Sequence, residues 1–168
     1  MAESPAGDRL FPSLLDRLTD NEPDKRNEAR NVRAFSSTNL RDSVLRDLNW
    51  LFNAIQPDES ELAQFPHVRR SVINFGIPAL SGRPASALNL DDVEQMLRQS
   101  ILDFEPRLIG DTVRVKAEAG KDADSRHNLV AFRIEAQLWA QPYPIDLLLR
   151  TEVNMESGES RVVETGRG

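Results

Sequence analysis

The chain has 168 residues, with 27 acidic against 21 basic side chains, a net charge of −6 and a sequence pI near 5.0. That acidity argues against a nucleic-acid binder, which needs a basic face. The lack of cysteine excludes disulfides, thiol catalysis and thiolate metal sites.

The length fits one domain with a tail and suffices to bury a sizeable core. The opening residues, Met1 to Arg9, contain no apolar run of the secretory kind. No window approaches the roughly 20 apolar residues that a membrane span needs. The expectation is a soluble intracellular protein, with no nucleic-acid partner and no membrane insertion.

Residues 1–9 are small, polar and proline-bearing, the composition of a disordered tail. Leu10, Phe11, Leu14, Leu15 and Leu18 follow as a short apolar stripe, with Pro12 at a favoured first-turn position. About two turns is marginal for an isolated helix. The stripe must therefore dock, either on its own domain or on a partner. Residues 19–37 are polar and charged, and read as a linker with a frayed helical piece. The expected division is a flexible segment over 1–36 carrying a short docking helix, and a single domain over 37–168.

Ser37, Thr38 or Asn39 can cap a helix carrying Leu40, Val44, Leu45, Leu48, Leu51, Phe52 and Ile55, stopped by Pro57. Trp50 lies off the centre of that stripe. It either covers the rim of the core or anchors a partner. Residues 58–64 are a loop or short turn. Pro66 opens a second short helix with Val68 and Val72 inward, and Gly76 suits a left-handed position after a helix, with Pro78 beyond. Residues 79–88 are a turn-rich connection. Asn89 starts a helix over 90–104, with an acidic first turn and a stripe of Leu90, Val93, Met96, Leu97, Ile101 and Phe104.

Pro106 ends that helix and pushes Glu105 out of the α region. Beyond it the period changes to two. Residues 108–118 alternate, as do 130–140 and 147–155; Glu156 to Glu159 signal a hairpin turn, and Arg161 to Glu164 a short last strand. Short polar connections imply an antiparallel meander. Helices first and strands afterwards imply an α+β fold, with N-terminal helices packed on one face of a C-terminal antiparallel sheet of three to four strands.

The chemistry-bearing stretch is Glu105-Pro106-Arg107. A rigid corner with two opposite charges either offers charge-assisted hydrogen bonds to another chain or is solvated and paired locally. Enzyme readings are weak. There is no phosphate-cradling glycine loop and no nucleophile elbow. His67 and His127 lie far apart with no carboxylate at ligand spacing, so neither a metal nor a cofactor is expected. Asp103 and Glu105 bracket Phe104, and Glu105 could be a general acid in glycoside hydrolysis. Sequence neighbours alone do not make a sugar cleft, aromatics are few, and Arg107 favours the ionised form of its neighbour.

Glu105-Pro106-Arg107 after an amphipathic helix, Ser71 to Pro78, Leu80-Ser81-Gly82 and Leu138-x-x-Gln-Pro-x-Pro occur in one order. With Ser13 to Leu18 and the Arg41 to Leu51 segment, they resemble the gp25-like baseplate wedge family, most closely its TssE branch from type VI secretion systems. Phe75, where a Tyr or Trp is the closer match, is a mild departure. The resemblance runs from about residue 10 to 165. It implies a subunit of the bacterial cytoplasmic baseplate of a contractile injection system, docked at the membrane. It further implies partner binding through Glu105, Pro106 and Arg107 to the wedge proteins TssF and TssG, with TssK nearby. The sheet then templates the sheath proteins TssB and TssC by edge-strand pairing, the C-terminal hairpin over 147–164 being the expected edge. On this picture, alanine at Glu105 or Arg107 leaves the fold intact and weakens wedge binding. A lysozyme-like muramidase with Glu105 as general acid is the alternative attached to this family.

Overall fold

Two long helices and a four-stranded sheet account for most of the computed structural model, which describes residues 12–19, 24, 36–57, 64–80, 89–118 and 129–165. The expectations for Leu10 and Phe11, for nearly all of the 19–37 linker, and for the connections over 58–63, 81–88 and 119–128 fall outside the described residues. So does His127.

Helix α1 covers Leu14–Leu18 and helix α2 covers Ser37–Asn53. The cap of α2 is Ser36, one residue before the expected set; its side chain accepts from the Asn39 N–H at 3.1 Å. Leu40, Val44, Leu48, Leu51 and Phe52 are buried, a single stripe at helical spacing. The helix stops at Asn53, before Pro57. Ala54 turns extended, and residues 54–56 pair in parallel with the segment at Ile77: the Ile77 N–H donates to the Ala54 carbonyl at 2.9 Å and the Gln56 N–H to the Ile77 carbonyl at 3.0 Å. Ile55 leaves the stripe and is exposed.

This pairing explains Gly76. Its φ is +132°, and a Cβ there would lie 2.3 Å from the Ala54 carbonyl oxygen. The glycine follows Phe75, the cap of a 3₁₀ turn over Val72–Asn74, with the positive φ expected after a helix end, and it also serves a close backbone approach. Helix α3 is one turn, Pro66–Arg69, followed by an extended Ser71 and a 3₁₀ turn at Val72–Asn74. That break resets the helical phase, so Val72 points outward, against expectation, and Asn74 points inward, its Nδ2 donating to the Arg69 carbonyl at 2.9 Å.

Helix α4 is Leu90–Phe104, capped by Asn89 as expected. Val93, Leu97 and Ile101 are buried. A 3₁₀ turn at Gly110–Thr112 uses up the start of the expected first strand. The strands are β1 (Arg114–Glu118), β2 (Leu129–Leu138), β3 (Ile145–Asn154) and β4 (Ser160–Glu164), antiparallel in the order β1-β2-β3-β4. The β3–β4 turn is the expected one: Gly158 has φ +77°, and Asn154 Oδ1 accepts from the Glu156 and Ser157 N–H groups.

Register brings Val115, Ile134 and Leu149 side by side, and Phe132, Thr151 and Val162 likewise. These inward residues meet α2 beside β4 and α4 beside β1. Each fully buried Leu, Ile or Phe contributes about 1.5–3 kcal/mol. The other face carries polar side chains, as an α+β sheet covered on one side should.

Candidate functional site

Glu105 caps the C-terminal end of α4, its N–H donating to the Ile101 carbonyl at 2.8 Å. Pro106 turns the chain, and Arg107 folds back over Glu105. Arg107 Nε donates to Glu105 Oε1 at 2.7 Å and Nη2 to Oε2 at 2.5 Å, a bidentate fork. The same guanidinium donates from Nη2 to Asp47 Oδ2 at 2.5 Å and from Nη1 to Ser43 Oγ at 2.8 Å, both on α2. The Arg107 carbonyl accepts from the Trp139 N–H at 2.8 Å, tying the corner to the end of β2. The Glu105 side chain is 4% exposed and that of Arg107 14%. Burial works against the guanidinium charge, but the carboxylates of Glu105 and Asp47 outweigh it, so the group is held protonated more firmly than usual.

The corner therefore holds no pair of free ionic arms. Within the chain the two charges pair with each other, and the pair is bolted to α2. Sequence reasoning missed Ser43 and Asp47. Their signal was a serine and an aspartate four residues apart on α2, one turn of a single helical face.

The network continues to α1. Ser13 and Asp16 form a capping box. Asp16 Oδ2 accepts from Ser13 Oγ at 2.6 Å and from Ser43 Oγ at 2.5 Å, and Oδ1 accepts from Arg46 Nη1 at 2.7 Å. Burial alone would raise the Asp16 pKa; the bonds from Arg46, Ser13 and Ser43 overcome it and hold the carboxyl well below the usual carboxylate range. Leu14, Leu15 and Leu18 are 68%, 43% and 73% exposed. The leucines of the expected docking stripe that are described here are exposed, not buried.

Beside the corner lies an apolar groove of about 440 Å³, lined by Pro12, Trp50, Phe75, Phe104, Pro106 and Arg107. Phe75 and Phe104 meet edge to face at 5.4 Å, and the Arg46 guanidinium lies 5.2 Å from the Trp50 ring centre. Trp50 is 52% exposed, so it lines the groove more than it covers the core.

The carboxylate pair suggested by sequence is split. Asp103 accepts from Arg70 Nε at 3.1 Å and Gln99 Nε2 at 3.0 Å, and lines a separate cleft with Asn74, Gln95 and Met96. Glu105 lines the groove beside Trp50 and Phe104, with both oxygens engaged by Arg107. Among the described residues no cluster of His, Asp and Glu could hold a metal ion, and no helix is long and apolar enough to cross a membrane.

No curated protein and no solved structure matches the chain. Residues 38–143, more than half of it, match the family model described as baseplate wedge protein gp25. That span contains all but the first residue of α2, and α4, the Glu105–Arg107 corner and strands β1 and β2. The chain belongs to the baseplate wedge protein gp25 family.

Proposed function

We propose that the chain is a structural, non-catalytic subunit of the baseplate wedge of a type VI secretion system. It seats on a TssF–TssG pair, with TssK nearby, in the bacterial cytoplasm where the baseplate docks on the membrane, and it offers a sheet edge to the sheath proteins TssB and TssC. Beyond family membership, the observation that carries this reading is the groove beside the corner. Exposed Trp50 and Phe75 flank a wall made rigid by the Glu105–Arg107–Asp47 network. Aromatic side chains around a fixed guanidinium are the composition of an interface hot spot. In this reading Glu105 and Arg107 act by holding the wall, and Pro106 by forming part of it. The exposed leucines of α1 add apolar surface next to the same groove.

The muramidase reading needs Glu105 free to donate a proton to a glycosidic oxygen. With Arg107 on both carboxylate oxygens, that position is occupied.

The test is co-purification with a co-expressed TssF–TssG pair, comparing wild type with Trp50→Ala and Phe75→Ala and checking each fold by circular dichroism. Binding lost with the fold retained is the expected result. Unchanged binding by both variants would remove the groove from the interface. Peptidoglycan turnover abolished by Glu105→Gln would reinstate the enzyme.

A further inference from the structure

Three carboxamides on the walls of the cleft beside Asp103 donate to the chain itself. Gln56 Nε2 donates to the Gly76 carbonyl at 2.8 Å, Asn74 Nδ2 to the Arg69 carbonyl at 2.9 Å, and Gln99 Nε2 to Asp103 Oδ2 at 3.0 Å. Every one of these partners is an acceptor, and only the nitrogen of a carboxamide can donate. The orientation of each group is therefore fixed, and its oxygen is left over. No described group donates to any of the three oxygens. Asn74 shows this most sharply: the residue is 7% exposed, and its Oδ1 is buried with no partner. A buried acceptor without a donor is unfavourable and uncommon in a folded chain.

The cleft encloses about 1170 Å³ and follows α4 from Asp92 to Asp103, about 16 Å by helical rise. That length matches about five residues of extended chain. Its described lining includes no aromatic side chain, so it offers no stacking platform for a sugar or a base. None of these residues lines the groove beside Arg107. The two ends differ in charge. At the start of α4 the exposed Asp92 carboxylate has no described partner. At the other end Asp103 is neutralised by Arg70 Nε, and the Arg70 side chain is 76% exposed, with Nη1 and Nη2 engaged by no described group.

We infer that this cleft binds an extended peptide of a partner protein, with a basic side chain toward Asp92 and an acidic one toward Arg70. Acceptors left over on both walls, Gln56 and Asn74 on one and Gln99 on the other, call for a ligand with donors on both sides. An extended main chain is such a ligand, because its N–H groups alternate in direction along the strand. Its N–H groups donate to the three carboxamide oxygens, and the opposite charges at the two ends fix its direction. The site stands whether or not the neighbouring groove seats TssF and TssG.

The test is a selection from a displayed library of random heptapeptides on the immobilised full chain, followed by synthesis and titration of the enriched sequences. The expected peptides carry Arg or Lys toward one end and Asp or Glu toward the other. Asp92→Lys, an exposed change, should weaken them by about tenfold or more, and selection repeated on that variant should return an acidic residue in place of the basic one. Trp50→Ala, in the other groove, should keep their affinity. In nitrogen–proton spectra of the full chain, the side-chain amide resonances of Asn74 should move as peptide is added. A library that yields no enriched peptide overturns the inference. Peptides that bind Asp92→Lys unchanged and lose Trp50→Ala sit in the groove, and overturn it too. Bound peptide with unmoved Asn74 resonances places the binding elsewhere, with the same result.

Discussion

Helices α1 and α2 begin alike and end differently. Each is capped by a serine whose side chain accepts from a backbone N–H three residues on, and each carries leucines at helical spacing. Yet α2 buries Leu40, Val44, Leu48, Leu51 and Phe52, whereas no residue of α1 is buried. Helix α1 is attached by its polar side, through Asp16 to Ser43 and Arg46, and turns its leucines outward. An apolar stripe in a sequence announces a face that wants cover. It does not say whether the cover comes from the same chain. What separates the two helices is length: five residues cannot bury enough apolar surface to hold a helix, so hydrogen bonds and charge locate α1.

The largest effect that can break this contrast is at the anchor of α2. Arg107→Ala strips the buried Glu105 carboxylate of its counter-charge, while half-buried Asp47 keeps Arg46, and losing one partner of a buried pair costs about 3–5 kcal/mol. Urea unfolding should show it. Wild-type stability would mean that the corner stands free of the fold, as the resemblance alone suggests. The contrast itself is measured by two leucines. Leu48→Ala in α2 should cost about 2–5 kcal/mol, while Leu15→Ala in α1 should stay within about 0.5 kcal/mol. Equal losses would show that α1 packs as α2 does.

The smallest effect is a pH dependence. The Asp16 carboxyl is depressed below its ordinary value of 3.8 in the folded chain. Its contribution is fully present above that ordinary value and fades as pH falls through the lower folded one. Below about pH 4, tryptic-type cleavage being unsuited to acid, pepsin should cut within residues 14–18 before the core unfolds. Simultaneous loss of α1 and the core would show that the attachment of α1 is not a separate unit.

Much of this architecture was legible in the residues. The change from a period of 3.6 to a period of two at Pro106 marks the boundary between helices and sheet, and Asn89 and the 156–159 turn announce themselves by type. What was not legible came from contacts distant in sequence. Gly76 is legible as the residue after a helix end; that Ala54 lies against it is not. Val72 fits an inward helical position until the extended Ser71 changes the phase. The corner was readable as a rigid charged pair; that its charges face inward depends on Asp47, 60 residues away. Asn49 and Asn53 of α2 read as solvated side chains, because nothing local says that the backbone of β4 waits opposite them.

One atom joins these parts. Ser43 Oγ has a single proton, and it points at Asp16. The oxygen must then receive Arg107 and Arg46 with its lone pairs. When Asp16 leaves, the hydroxyl is released to rotate, and the seat of Arg107 changes with it. Helix α1 and the Glu105–Arg107 corner thus share one hydroxyl, so whatever free energy its rearrangement couples between them acts equally in both directions.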